Sequence, residues 1–506
     1  MAETLSELKQ EFLDFVRKIE AKKEALELVG WDIRTGAPKK GLDQRAEVIS
    51  VLSAEIFEAE TSEEMAAFIA ALSPYKAELD EITAKTLHEC QKEYDLSKKI
   101  PAKEYRAYTK LVAQAENAWT EARAENDFAK FEPYLTEIVA MKRQFIEYWG
   151  YEENRYDTLL DQYEPGMTVQ IVDRVFATLR KGIKALRLKI EQEGIRPDAS
   201  LLGLYRMPKE EQKQLGLSVL EKMGFDFEAG RLDDTVHPFA SGLNPGDVRI
   251  TTRYDEDSFK MALFGIIHEG GHAIYEQNID WQLVGTPLAN GASMGIHESQ
   301  SLFYEIILGS SFAFWKSNYP AVQKMAKGAY ETVSVEDFYR ALNLTESSLI
   351  RIEADILTYP LHIMIRYELE KALMNGELEV KDLPQAWGDM YEAYLGVRPE
   401  TDSTGVLQDI HWAGGDFGYF PSYALGLVYA AQFFEQMKKD LPDLEAVLAG
   451  TDYRPIKDWL TQHIHRYGKL KTPIELLKEA TGEPINPSYL LHLLEERYAF
   501  VYQLKN

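Results

Sequence analysis

The chain has 506 residues, 45% of them apolar and 27% charged, the composition of a globular protein with a large core. Its 82 acids against 56 lysines and arginines leave a formal charge of −26, which argues against nucleic acid or an anionic membrane as partner, because phosphate binding needs a basic face. The lone cysteine, Cys90, rules out an internal disulfide framework and fits a reducing compartment.

The first residues are charged and lack an apolar signal region, and no later segment approaches the roughly 18 uninterrupted apolar residues of a membrane span, so the chain reads as soluble and cytoplasmic. Residues 5–151 carry helical stripes throughout: Leu5, Leu8, Phe12, Phe15, Val16 and Ile19 recur at three- and four-residue steps, and similar stripes cover 48–59, 63–72, 79–96 and 104–124. Breaks are expected at Gly36-Ala37-Pro38, Ser73-Pro74 and Ile100-Pro101. Trp31-Asp32, just before the first break, reads as a packed tryptophan with a capping aspartate. A further helix is expected over 169–193. Residues 225–254 then lose helical periodicity, and the alternating β-branched run Asp247 to Tyr254 predicts a strand. It reads equally as part of a hairpin covering the core and as an edge strand able to pair with an extended peptide.

The next segment, 264–275, holds His268-Glu269-x-x-His272 in an apolar run. Four residues is just over one helical turn, so both histidines stand on one face and can reach one metal ion. Glu269 lies at the edge of that face, where a carboxylate can take a proton from an activated water without being a ligand. A bare His-Glu-His group in such a helix is costly to desolvate unless something neutralises it. Gly270 and Gly271 each weaken a helix by about 1 kcal/mol relative to alanine, and close approach of substrate or of a second helix is a sensible reason for them. A zinc hydrolase needs a third protein ligand. Glu298 is the candidate, at the start of a helix-like run over 299–315, after a loop rich in turn residues. His297 is its rival, but neighbouring residues on a helix point about 100° apart, so one of the pair coordinates.

Helices are expected again at 335–342, 347–374 and 383–395. Within the second, Arg351 has two readings: one charge of a surface ion-pair face, or a bidentate grip on a substrate carboxylate. The stretch 405–423 combines glycines, aromatics and donors. In it His411, with Tyr419 or Tyr423, can donate to the oxyanion formed when water adds to a peptide carbonyl; loop packing is the plainer alternative.

Six motifs in order now carry a resemblance: His237-Pro238-Phe239, Asp247-x-Arg249-x-Thr251, His268-Glu269-x-x-His272, His297-Glu298-Ser299-Gln300, Ile350-Arg351-x-x-Ala354-Asp355 and Gly405-x-x-Gln408-Asp409-x-His411-Trp412. Together they resemble the carboxypeptidase Taq family of zinc metallocarboxypeptidases. The resemblance implies a mainly α, saddle-like fold with a deep central groove and a small β-sheet near the active site, similar to angiotensin-converting enzyme and thimet oligopeptidase. It implies one catalytic domain over 1–506, with a helical part at 1–225, the metal and substrate motifs at 226–425 and closing helices at 426–506. It further implies a homodimer that removes single C-terminal residues from peptides with broad specificity, poorly at C-terminal proline, using zinc, for which cobalt can substitute.

Carried over residue by residue, His268, His272 and Glu298 become metal ligands and Glu269 the general base. His411 and Tyr423, in preference to Tyr419, become oxyanion donors, because the His-x-Ala-Gly-Gly run resembles the oxyanion loop of thimet oligopeptidase. Arg351 becomes the carboxylate anchor, with Arg249 and His237 shaping the substrate end of the groove. Two other functions stay in view: an endo-oligopeptidase with the same metal site and no carboxylate anchor, and a helical peptide-binding protein with a silent site. The second would be marked by loss of Glu269, a ligand or His411, and all are present.

Overall fold

Thr4 starts the first helix by a reciprocal cap: its hydroxyl accepts from the Glu7 N–H, and the Glu7 carboxylate accepts from the Thr4 N–H. In the computed structural model, which describes residues 4–505, six helices follow one another: α1 (Leu5–Thr35), α2 (Leu42–Glu60), α3 (Glu63–Leu72), α4 (Glu81–Lys99), α5 (Ala102–Glu125) and α6 (Phe128–Trp149). The three expected breaks fall between α1 and α2, after α3, and before α5. The first four helices close over a small core of their own, with Phe12, Val16 and Ile19 of α1 against Met65, Ile69 and Leu72 of α3. From α5 onward the apolar stripes join one large core. Trp31 is packed as expected, against Phe239, but Asp32 does not cap the helix: its carboxylate pairs with Arg45 at 2.6 Å.

Three helices lead to the sheet: α7 (Asp157–Tyr163), α8 (Val169–Glu193) and α9 (Lys209–Met223). The sheet has strands β1 (Gly230–Asp234), β2 (Ala240–Asn244) and β3 (Asp247–Thr252) in the order β1-β3-β2, with β1 parallel and β2 antiparallel to β3. The strand anticipated in the sequence is therefore central, not an edge. Its Val248, Ile250 and Thr252 are buried, and a β-branched inner face with a partner on each side explains why it alone gave a clear signal. β1 and β2 are the two edges.

Helix α10 (Phe259–Gln277) packs between the sheet, α9 and α11 (Met294–Leu302). The run expected as one helix over 299–315 is three pieces: the end of α11, a π-helical turn over Phe303–Gly309, and α12 (Phe312–Met325). The Ser310 hydroxyl donates to the Glu305 carbonyl and the Ser311 hydroxyl accepts from the Phe314 N–H, which stops one helix and starts the next.

Then come α13 (Val335–Leu342), α14 (Tyr359–Asn375) and α15 (Leu383–Leu395). The helix expected from 347 begins only at Tyr359. Half-buried Asp355 accepts from the N–H groups of Glu346, Leu357 and Thr358 and from the Thr345 hydroxyl, holding the preceding segment as a loop with one 3₁₀ turn, Arg351–Glu353. A short α16 (His411–Gly414) precedes α17 (Pro421–Asp440), which lies along α11; α18 (Leu444–Leu448), α19 (Arg454–His463), α20 (Pro473–Thr481) and α21 (Ser488–Tyr502) close the core. The chain is thus mainly α with one small sheet. Among the described residues, no helix is long and apolar enough to cross a membrane.

Candidate metal centre and substrate cavity

Gly271 explains how two helices come close enough to share an ion. A β-carbon there would stand 2.6 Å from the Gln300 carbonyl oxygen and 2.7 Å from the Ser301 α-carbon, so only glycine lets α10 and α11 touch backbone to backbone. On its other flank, a β-carbon at Gly270 would lie 2.4 Å from Leu220 of α9. The close approach of a second helix is the reason for the glycine pair. Helix α11 is itself pinned at its start, where the Ser293 hydroxyl accepts from the Ile296 N–H and the buried Glu164 carboxylate from the Gly295 N–H.

With the helices so placed, His268, His272 and Glu298 bring one ligand atom each to within 4.8 Å of one another. Glu298 Oε2 lies 3.9 Å from His268 Nε2 and 3.6 Å from His272 Nε2. Both rings are aimed by their other nitrogen. His268 Nδ1 is 2.8 Å from Glu305 Oε2; His272 Nδ1 is 2.6 Å from His297 Nδ1, whose Nε2 is 2.7 Å from Glu276 Oε1. Such outer partners fix which ring nitrogen faces an ion and raise its basicity. His297 therefore stands behind His272, and Glu298 is the acid that completes a group able to hold a metal ion.

The electrostatics favour a cation. Burial pulls the His268 pKa down, yet Glu298 and Glu305 outweigh it and raise it to about 10, so the centre attracts positive charge. His272 is held well below the usual imidazole range by burial and by the two neighbouring histidines, which keeps it neutral, as a ligand must be. Two imidazole nitrogens and one carboxylate oxygen form the donor set of hydrolytic metal centres. Glu269, 9% exposed, sits beside them; burial raises it to about 7 against the pull of His268.

These groups form one wall of a cavity of about 670 Å³. The opposite wall carries Arg351, Tyr359, Tyr419 and Tyr423, and Pro238, Phe239 and Ala240 close its side. Arg351 is buried, not part of a surface ion-pair face: its Nε and Nη2 reach Asp409 Oδ1 at 3.0 and 2.9 Å, and its Nη1 lies 3.4 Å from the Tyr359 hydroxyl. His411 stands behind the tyrosines, with Nε2 3.4 Å from the Tyr423 hydroxyl; burial and the cations Arg351 and Arg366 lower its pKa to about 4. Burial raises both Tyr419 and Tyr423, so both phenols keep their protons as donors.

Two sequence candidates lie elsewhere. Arg249 pairs with Asp247 at 2.7 Å beneath Trp31 and lines a separate cleft between α1 and the sheet. His237 is exposed and outside the cavity lining, although its neighbours Pro238 and Phe239 form that lining. The threonine of the same strand motif does the local work: the Thr251 hydroxyl accepts from the Phe239 N–H at 2.9 Å and so holds this wall.

Several site groups escaped the sequence reading. Glu276 continues the His268, His272 stripe by one more four-residue step, and that spacing was a usable signal. Glu305 faces His268 through the π-helical turn, which no ordinary helical spacing anticipates. Arg366, flanked by Met364, Ile365 and Tyr367, is a cation in an apolar helix and called for a buried acid. Tyr359 had no local signal.

Comparison with known proteins shows the family. The model of the carboxypeptidase Taq (M32) metallopeptidase family matches residues 11–498. The chain is 50% identical to carboxypeptidase 1 of Bacillus subtilis over 495 residues, covering 98% of this chain and 99% of that protein. It is 40% identical to thermostable carboxypeptidase 1 of Thermus thermophilus over 506 residues, covering 97% and 98%. The crystal structure of the M32 carboxypeptidase from Deinococcus radiodurans superposes with a TM-score of 0.93 at 34% identity, covering 98% of this chain and 99% of that one.

Proposed function

The chain belongs to the carboxypeptidase Taq (M32) family of metallopeptidases and is a metallocarboxypeptidase, and from that premise we propose a zinc-dependent exopeptidase that frees single C-terminal residues from peptides. The observation that carries this reading is one cavity holding the His268, His272 and Glu298 donors, buried Glu269 and the Arg351 guanidinium.

Bound by His268, His272 and Glu298, zinc would supply Lewis acidity and lower the pKa of an attacking water, and cobalt suits the same donors. Glu269 takes the water's proton, which its raised pKa suits it to hold, and returns it to the leaving amine. The Tyr423 hydroxyl donates to the carbonyl oxygen as it gains charge, and His411, 3.4 Å behind that hydroxyl, supports the oxyanion through it; Tyr419, beside Tyr423, is the alternative donor. Arg351 takes the terminal carboxylate, so only the last peptide bond reaches the metal. At the open edge of β2, Phe239 gives its carbonyl to the Thr251 N–H, and alternation turns the Ala240 backbone outward, where an extended peptide can pair with it.

The chain's acidity and single cysteine support cytoplasmic action on peptides without nucleic-acid or membrane partners. Broad specificity, weak activity at C-terminal proline, a single catalytic unit over 1–506 and a homodimer are inferred from the resemblance of the six motifs.

The test is mass spectrometry of a short mixed peptide, with free and with amidated C-terminus, incubated with zinc- or cobalt-loaded protein and with a chelated control. A ladder losing one residue at a time from the free C-terminus, absent with amide or chelator, is the expected result. Internal cuts in both peptides would point instead to an endo-oligopeptidase.

A further inference from the structure

The charges around Arg351 do not cancel. Arg351 and Arg366 share one acid, Asp409: Oδ1 takes Arg351, and Oδ2 takes Arg366 Nε at 2.6 Å and Nη2 at 2.6 Å. Arg351 is 7% exposed and Arg366 fully buried. Within this hydrogen-bonded group two guanidiniums share one carboxylate and leave one unit of positive charge; Glu298, which also lines the cavity, acts on Arg351 without pairing with it, and a buried charge calls for a partner in contact.

The excess has a single outlet. Arg366 has its remaining donors satisfied: Nη1 by the His362 carbonyl and the Tyr391 hydroxyl, and Nη2 also by the Gln408 side-chain carbonyl. Arg351 turns its Nε and Nη2 edge to Asp409, and among the described residues its Nη1 meets only the Tyr359 hydroxyl, at the long distance of 3.4 Å. Arg351 and Tyr359 both line the cavity, whereas Arg366 does not. Burial raises the Tyr359 phenol to well above its ordinary range, so it stays protonated and can donate.

We propose that the peptide's terminal carboxylate is bound jointly by Arg351 Nη1 and the Tyr359 hydroxyl, and that Arg366 is a positioning residue which neutralises Asp409 so that the charge of Arg351 remains for the substrate. This rests on the exopeptidase reading above and adds two residues to it. Without Arg366, Asp409 would be a full counterion for Arg351, and the anchor would be an internally satisfied ion pair with little to offer a carboxylate.

The test measures KM and kcat of the zinc-loaded enzyme on an N-acylated dipeptide with a free carboxylate, with metal content and melting transition recorded for each variant. Arg351→Gln should raise KM; if it does not, the anchor reading falls and this proposal with it. Arg366→Gln should raise KM by roughly 10- to 100-fold with a smaller change in kcat, and Tyr359→Phe by roughly 3- to 10-fold, as expected for a charge-assisted and a neutral hydrogen bond. The deciding variant is Arg366→Gln/Asp409→Asn, which removes both charges and should recover KM to within about threefold of the parent. Additive losses in that double variant, with Arg351→Gln still impaired, would overturn the charge-balance role while leaving the anchor reading intact. Arg366→Lys, which keeps the charge if the larger substitutions do not fold, should stay near the parent KM; a rise matching Arg366→Gln would likewise overturn the proposal.

Discussion

The two walls of the cavity are built in opposite ways. The metal wall comes from α10 and α11, neighbouring helices whose ligand atoms are set by a four-residue spacing and by the glycine that lets the helices touch. The facing wall comes from three separate pieces of chain: the 3₁₀ turn bearing Arg351, the first residue of α14, Tyr359, and the loop running into α17 with Tyr419 and Tyr423, backed by His411. These are held by buried charge: Asp409 ties the 351 turn to α14 through Arg366, and Glu370 of α14 accepts from the Trp412 indole at 2.7 Å and the Gly418 N–H at 2.9 Å, clamping the glycine-rich loop at both ends. Regular helices hold a site by repetition of backbone hydrogen bonds. Loops hold one only when a buried polar group with several partners gives them a unique conformation.

If the metal wall carries the proton chemistry, Glu269→Gln should keep its metal and lower kcat by roughly 10²- to 10⁴-fold, measured by steady-state turnover with metal content. Substantial residual turnover would remove Glu269 from that role. On the facing wall, Tyr423→Phe should lower kcat by about 10²- to 10³-fold with little change in KM, and Tyr419→Phe by less; the reverse ranking would make Tyr419 the oxyanion donor.

The orienting acids give a smaller effect of a different kind. Glu305→Ala or Glu276→Ala should weaken metal binding by roughly 10- to 100-fold in a chelator competition, because Glu305 fixes the His268 ring directly and Glu276 fixes the His272 ring through His297. Unchanged metal affinity would reduce these contacts to packing.

The smallest effect is on stability, and it sharpens the contrast in how the walls are held. Burial raises the Glu370 carboxyl from 4.5 to about 7 despite its three donors, Tyr156, Gly418 and Trp412. Between those values the folded protein keeps a proton that the unfolded chain has released, so this group's contribution falls as pH rises from about 4.5 to about 7 and is level above. By linkage the change is on the order of 3 kcal/mol. Glu370→Gln should therefore be less destabilising at pH 8 than at pH 5, read from urea midpoints of variant and parent. A penalty independent of pH would mean the carboxyl is ionised throughout.

The sequence by itself determined what depends on neighbours along the chain. The helical character of residues 5–151 with breaks at 36–38, 73–74 and 100–101, the strand at 247, the His268 and His272 pair and the need for something to come close at Gly270 and Gly271 all follow from periodicity, steric need and turn chemistry over a few residues, whereas the break between α5 and α6 gave no such signal. Folding decided what depends on partners far apart. His297 and Glu298 are adjacent, and only the packing of α11 on α10 turns Glu298 to the ligand point and His297 to the back of His272. Arg351 looked helical because Ile350 and Ile352 flank it, but Asp355 draws the backbone into a loop and Asp409, far along the chain, holds the side chain in the cavity. Arg249 and His237 belong to motifs that border the groove, yet alternation along β3 turns Arg249 away from the face of Val248 and Ile250, and His237, in the connection between β1 and β2, is exposed. The division has one physical cause: a helix fixes the direction of each side chain from the residue's place in the turn, whereas a side chain on a loop points where its distant hydrogen-bond and charge partners hold it.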